Sequence, residues 1–190
     1  MQSTESLRYL GIIPLPEKLG TMKVLGIAPG SETLGWAVVE GSGSKYSSLE
    51  FGVVRSNPRQ AFSKRLAKIF SEVDAIVARL RPDALAIEEA FYSINVNVAM
   101  KLGQVRGVML LLAEQRGLAI AEYAPRLIKK TVVGYGNAEK QQVAEMVRIL
   151  LGLKVAPTPH DAADALAIAI CHFHHAGVNE KLKKAARGIK

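Results

Sequence analysis

Residues 22–55 read MKVLGIAPGSETLGWAVVEGSGSKYSSLEFGVVR and contain three apolar runs separated by two short connections. The apolar runs predict strands at Met22–Ile27, Leu34–Glu40 and Ser48–Arg55. The first connection contains Pro29-Gly30 and the second spans Gly41–Ser44, and both compositions are typical of tight turns. Because tight turns join antiparallel neighbours, we expect these three strands to form an antiparallel sheet.

Helical and strand patterns alternate in the rest of the chain. Apolar residues spaced three and four apart from Leu66 to Leu80 predict an amphipathic helix that Pro82 ends. Two short apolar runs predict further strands at Ala84–Ile87 and Ala119–Tyr123. Four more helices are predicted, at about Val98–Arg116, Pro125–Val133, Ala138–Leu151 and Asp161–His175. This order indicates an α/β fold with a five-stranded mixed sheet flanked by helices.

One domain is expected, over residues 22–176, because 190 residues suffice for a single core of ordinary size. Residues 1–21 contain two prolines and mixed polarity, which predicts a flexible N-terminal extension. Residues 177–190 carry five basic side chains against Glu180 alone, which predicts a solvated basic tail.

The composition narrows the classes of function. An apolar content of 49% excludes a disordered chain, and a net charge of +8 favours a nucleic-acid or other anionic partner. Cys171 is the single cysteine, so no intrachain disulfide can form. Residues 1–21 lack the pattern of a secretory signal, and no apolar run approaches the ~20 residues that span a bilayer. We therefore expect a cytoplasmic protein without a membrane partner.

Three carboxylates stand where a solvated surface is not expected. Glu88 ends the apolar run from Ala84, and Asp161 and Asp164 share one face at the start of an apolar helix. A buried carboxylate needs a partner, which a lysine or a hard divalent ion could supply. Asp161 could instead be a simple helix cap. Ala28 ends the first strand at a place where a fourth carboxylate would fit.

Six segments, taken together in their order and spacing, resemble the RuvC family of Holliday junction resolvases, which share a ribonuclease H-like fold. The segments are residues 26–30, 86–91, 101–107, 129–134, 138–140 and 161–166. The resemblance runs from about Met22 to Ala176. It implies symmetric, metal-dependent nicking of four-way DNA junctions in recombination and repair. It also implies a homodimer that works beside a branch-migration motor of the RuvAB kind, and Mg²⁺ or Mn²⁺ as the cofactor, two ions per active site.

The resemblance assigns roles to individual positions. Glu88, Asp161 and Asp164 match three metal ligands, and Ala28 stands at the position of the first catalytic aspartate. The other matches form a DNA-contacting set: Lys129 and Lys140 near the scissile phosphate, Phe91 as an aromatic that stacks at the opened junction, and Lys130 and Arg106 as weaker candidates. A core phenylalanine and ordinary surface charges are the alternatives for these residues. Gly103 and Gly107 share a helical face, in the core or across a dimer interface.

Alanine at position 28 predicts a chain that binds junctions and cuts them poorly or not at all. Two origins are open for it, an engineered substitution in an active enzyme and a naturally silent junction-binding protein. A ribonuclease H-like nuclease acting on structured RNA is the alternative function.

Overall fold

The structure, a computed structural model, describes residues 21–42, 45–89 and 95–187, with side chains as far as Ala176. Its elements are β1 (Met22–Ala28), β2 (Thr33–Ser42), β3 (Lys45–Arg55), α1 (Phe62–Leu80), β4 (Ala84–Glu88), α2 (Val96–Gln115), β5 (Ala119–Tyr123), α3 (Pro125–Val133), α4 (Lys140–Leu150) and α5 (His160–Arg187).

The five strands form one mixed sheet in the order β3-β2-β1-β4-β5. β1 pairs antiparallel with β2, and β2 pairs antiparallel with β3, as the short turns predict. β1 and β4 are parallel, as are β4 and β5, because a helix crosses between the strands of each pair. The prediction of a five-stranded mixed sheet flanked by helices is confirmed.

The two faces of the sheet are covered by different helices. Alternate residues of a strand point to opposite faces. Val24 and Ala28 of β1 accordingly pack in the cluster with α3, α4 and α5, whereas Leu25 and Ile27 pack in the cluster with α1 and α2. Burial on both sides explains why β1 and β4 are almost continuously apolar.

Helix α5 lies directly on the sheet at two glycines. A Cβ atom at Gly26 would clash with the carbonyl oxygen of Ala165, and one at Gly35 would clash with the carbonyl oxygen of Asp161. The buried face of α5 consists largely of alanines, which permit the same close approach. The start of α5 is therefore fixed beside the end of β1.

Several element boundaries differ from the predictions: β3 begins at Lys45 and not Ser48, α1 at Phe62 and not Leu66, and α4 at Lys140 and not Ala138, and two further helix ends also differ. α2 begins at Val96, two residues before the predicted start at Val98, because the side chain of Asn95 accepts a hydrogen bond from the backbone N–H of Val98. α5 continues past the predicted end at His175 to Arg187. The added segment is rich in alanine and lysine, which favour helix. The basic end of the chain is thus helical as far as Arg187, and residues 1–20 lie outside the described part.

Helix α2 is long and apolar enough to cross a bilayer by length and composition, although the sequence predicts no membrane-spanning segment. Lys101 and Arg106 interrupt the apolar run of α2, but the mean hydropathy of the helix stays high enough for a membrane-spanning helix. It is the single such helix among the described residues, and core helices meet the same criterion. Only 22% of this apolar stretch of α2 is buried, so much of the helix is exposed in the single chain.

Candidate active site

The predicted carboxylate positions meet at one edge of the sheet. Ile27 pairs with Ile87 in parallel register, so the next residues, Ala28 and Glu88, lie side by side where β1 and β4 end. Ala28 also pairs with Gly35, over which the backbone of Asp161 lies. Position 28 therefore lies between Glu88 on one side and the start of α5 on the other.

Burial and mutual repulsion act on two of these carboxylates. Burial raises the pKa of Glu88 above its usual value, and the charge of Asp164 raises it further. Burial likewise raises the pKa of Asp164, and Asp161 adds to the effect. Glu89, next along the chain, is exposed. Glu88 therefore lies with Asp164 at this edge while Glu89 faces solvent, and two partly buried carboxylates with raised pKa values favour a cation.

Two predicted lysines approach the carboxylates from neighbouring helices. Lys140, the first residue of α4, places its Nζ 3.8 Å from Oδ2 of Asp164. Lys129, on α3, also lowers the pKa values of Glu88 and Asp164. The Lys140 side chain is 64% exposed, so the pair is a weak, solvent-screened contact. Both lysines remain accessible to a larger anion at this edge of the sheet.

The donor atoms suit a hard divalent ion in kind, because Mg²⁺ and Mn²⁺ prefer carboxylate oxygens. Their number falls short: among the described residues, no three acidic, histidine or cysteine side chains converge as a metal site would require. The shortfall coincides with Ala28, since a carboxylate at that position would stand between Glu88 and Asp161. The residues present thus fit part of a metal site.

The other predicted DNA contacts are distributed differently. Arg106 lies on α2, across the sheet from the carboxylates, where its guanidinium forms an ion pair with Glu122. This position separates Arg106 from the Lys129–Lys140 side, and its role on DNA stays a prediction. Lys130 is exposed at the end of α3. Phe91 lies outside the described residues.

A buried polar pair beside the site has no counterpart among the sequence predictions. Tyr123 pairs with Glu88 in the sheet, and its hydroxyl lies 2.9 Å from Nδ1 of His172 on α5. Burial lowers the pKa of His172 to about 4. Its Nε2 has no hydrogen-bond partner in the described part of the chain. A contact between a strand end and a distant helix leaves no local motif in the sequence. The available signal was a tyrosine at the end of a strand.

We expect His172 to make the protein less stable in acid. Its pKa is about 4 in the folded state and 6.5 in the unfolded chain, so the unfolded chain binds the extra proton between these values. Stability is therefore lost as the pH falls from about 6.5 to 4, by up to roughly 3 kcal/mol. Urea unfolding at pH 7 and pH 4.5 should show this loss in the parent and a much smaller one in His172→Gln.

The matched control for that experiment is His174→Gln, which removes an exposed histidine from the same helix. Raised pKa values at Glu88 and Asp164 act in the opposite direction in acid, and they are common to all three proteins. An equal acid sensitivity in the parent and His172→Gln would contradict the assignment to His172.

The mixed sheet and the carboxylates at the ends of β1, β4 and α5 define, as a class, a nuclease of the ribonuclease H-like fold. The profile of the family described as crossover junction endodeoxyribonuclease RuvC matches residues 24–172. RuvC of Heliobacterium modesticaldum is 49% identical over 132 residues, which cover 70% of this chain and 82% of that protein. The chain belongs to the RuvC family of crossover junction endodeoxyribonucleases.

Solved structures agree with this assignment. RuvC of T. thermophilus in complex with a Holliday junction substrate has a TM-score of 0.79 and 39% identity, covering 83% of this chain and 96% of that one. The yeast mitochondrial Holliday junction resolvase Ydc2 has a TM-score of 0.65 at 15% identity, covering 98% and 93%, and shows the shared fold alone. The resemblance and the ribonuclease H-like fold class are confirmed. The family's nucleases are Holliday junction endonucleases that depend on divalent metals.

Proposed function

We propose that this chain binds four-way DNA junctions and, with Ala28, nicks them slowly or not at all. The observation that carries the proposal is the gap at position 28 between Glu88 and Asp161, at an edge that Lys129 and Lys140 also approach. A carboxylate at position 28 would complete the set of ligands, together with Glu88, Asp161 and Asp164, for two Mg²⁺ or Mn²⁺ ions.

Bound metal would supply an activated water and stabilise the leaving oxygen of the cut strand. The chain's own residues supply the charges around the metal and the phosphate. Glu88 and Asp164 hold negative charge at a half-buried edge, where raised pKa values reflect how strongly a cation is favoured. Lys129 and Lys140 attract the phosphate backbone toward the same edge, and they would stabilise charge that develops on the phosphate.

We expect the two lysines to contribute directly to junction affinity. Replacing Lys129 and Lys140 together by glutamine should weaken junction binding and lower the slope of log K against log salt by about 2, one unit for each lost phosphate contact. Fluorescence anisotropy with a labelled immobile junction, titrated at several salt concentrations, measures both quantities.

The control variant is Lys68→Gln together with Lys64→Gln, which removes two exposed lysines from α1 on the other face of the sheet. Competition by RNA hairpins in the same titration addresses the alternative substrate. Equal slopes for the site variant and the α1 control would contradict phosphate contacts at Lys129 and Lys140, and stronger competition by RNA would favour a nuclease of structured RNA.

The proposed assembly is a homodimer formed through α2. Val96, Met100, Gly103, Gly107 and Leu111 lie on one face of α2, opposite the face that packs on the sheet. Nothing lies within 4 Å of a Cβ built at either glycine, so the core alternative for Gly103 and Gly107 does not hold among the described residues. Two copies of this face could approach closely at the glycines. A two-fold dimer would present two equivalent sites to a junction of near two-fold symmetry.

A charge on the α2 face should separate the subunits. Leu111 is 55% exposed in the single chain, and Leu111→Glu would place two carboxylates in the interface at once. Loss of a central apolar contact costs about 2 kcal/mol or more, so we expect largely monomeric protein at micromolar concentration. Sedimentation velocity measures the change. Ile149→Glu on α4 is the control, with a 53% exposed side chain away from α2. A dimer that survives Leu111→Glu would exclude this interface.

The biological setting proposed for the chain is homologous recombination and repair in the cytoplasm, beside a branch-migration motor of the RuvAB kind. The family assignment and the proposed junction substrate support it. Phe91 is proposed to stack at the opened junction, as in the family pattern.

A further inference from the structure

We propose that Arg65, directly and together with Ser56, is a positioning residue that fixes the turn between β1 and β2 and with it the position-28 side of the active site. The proposal rests on the proposed function of that site. Arg65 lies on α1, which packs on the opposite face of the sheet from the carboxylates.

Two carbonyl oxygens of the turn, which spans residues 29–32, accept hydrogen bonds from residues outside it. Nη2 of Arg65 donates a hydrogen bond to the Ser31 carbonyl, and Nε of Arg65 donates to Ser56 Oγ at 3.0 Å. Ser56 Oγ donates to the same Ser31 carbonyl at 2.8 Å. The backbone N–H of Ser56 donates to the Glu32 carbonyl at 2.9 Å. Arg65 and Ser56 thus form one hydrogen-bonded clamp on the turn.

Arg65 occupies an unusual environment for a cation. The residue is 4% exposed, and its hydrogen-bond acceptors in the described structure are a carbonyl and a hydroxyl, both neutral. Its guanidinium lies over the ring of Phe62, 5.3 Å from the centroid. Burying a charge without an anionic partner is costly, and an apolar side chain would fill the same space without that cost. An apolar side chain could not, however, hold the Ser31 carbonyl.

The clamped turn follows position 28 directly. Pro29 restricts its own backbone, and Gly30 lies so close to the Thr33 carbonyl that a Cβ would clash there, so a displacement of Ser31 would be passed along this compact turn to position 28. Loss of the clamp would let the turn shift and would redirect the side chain at position 28. A misplacement of about 1 Å at an active site can cost a factor of about 100 in rate. The clamp therefore acts on the metal site without touching it.

The test uses the full chain carrying Ala28→Asp, with Mn²⁺ as the probe and no DNA. Free Mn²⁺ is followed by electron paramagnetic resonance in the parent and in Ser56→Ala, Ser56→Thr and Arg65→Met. We expect Ser56→Ala and Arg65→Met to weaken Mn²⁺ binding by about tenfold, the size of effect known for groups that orient ligands. Ser56→Thr keeps the hydroxyl and should restore the parent affinity. Arg79→Met is the matched control, because Arg79 lies on the same helix and bonds Glu50 instead.

Hydrogen exchange of the turn, measured in the chain with Ala28, provides a readout that does not involve metal. Residues 29–34 should exchange faster in Ser56→Ala than in the parent, and as in the parent in Arg79→Met. Parent-like Mn²⁺ affinity and parent-like exchange in folded Ser56→Ala would overturn the proposal. Absence of Mn²⁺ binding in the Ala28→Asp parent would instead count against the proposed metal site. The exchange result alone would then decide whether Arg65 and Ser56 hold the turn.

Discussion

Ala28→Asp is expected to raise the rate of metal-dependent junction nicking by about 100-fold or more. Groups that merely orient metal ligands are worth about 10–100-fold, and a direct ligand should be worth at least as much. A factor of 100 corresponds to about 2.7 kcal/mol of activation free energy. The physical basis is register: the new carboxylate would lie beside Glu88 and next to the start of α5, where no three ligands converge among the described residues. Single-turnover cleavage of a mobile four-way junction with Mn²⁺ measures the gain.

Ala28→Asn separates charge from shape in this experiment, because asparagine has the size of aspartate without its negative charge. We expect little gain from it. A second readout is stability: a further carboxylate beside two with raised pKa values should lower the melting temperature without metal, and Mn²⁺ should raise it again by mass action. Robust nicking by the chain with Ala28, or equal rates for the aspartate and asparagine variants, would refute the role assigned to position 28.

The second large effect is expected from Gly26→Ala. The added methyl group would clash with the backbone carbonyl of Ala165, and neither the central strand nor the buried helix can move aside easily. Overpacking of this kind costs typically 1–3 kcal/mol and sometimes more, so we expect a loss of at least about 3 kcal/mol. For a chain of this length the melting temperature should fall by roughly 6–12 °C. Calorimetry or urea unfolding provides the measurement.

Gly52→Ala on β3 is the matched control for Gly26→Ala. Its new Cβ would lie 3.4 Å from the ring of Trp36, close to ordinary van der Waals contact, and the residue belongs to the same sheet. We expect a change within about 1 kcal/mol, as for a tolerated substitution in a core. Similar losses of stability in both variants would show that the packing of α5 on β1 is no tighter than the packing around Gly52.

The sheet was predictable because its evidence is local. Turns at Pro29-Gly30 and around Gly41 joined apolar runs of strand length, and the alternation of helices and strands after Leu66 required parallel crossovers. Helix ends were less predictable, since α5 continues past His175 and through Gly177, a residue that favours a helix end, as far as Arg187. Ala28, Glu88, Asp161 and Asp164 each end a strand or begin a helix, but only the resemblance to the RuvC family assigned the four positions to one metal site.

The supporting contacts around the site could not be predicted in the same way. The pair of Tyr123 and His172, the clamp of Arg65 on Ser31, and the ion pair of Arg106 with Glu122 each join residues from elements far apart in the chain. Such contacts depend on how helices lie across the sheet. Arg106 illustrates the difficulty, since the resemblance made it a weaker candidate for the DNA-contacting set, whereas packing of α2 places it beside Glu122 of β5, and its role on DNA stays a prediction.

Helix α5 is a single rod of 28 residues, about 42 Å long, with the two acids at its first turn and the basic residues at its far end. A continuous helix resists bending, so its two ends cannot be displaced independently of each other. The contacts at Gly26 and Gly35 lie near the acidic end, and residues 162–173 of the helix are buried almost throughout. The direction in which the basic end of the helix leaves the domain is therefore set by the same packing that places Asp161 and Asp164 beside the end of β1.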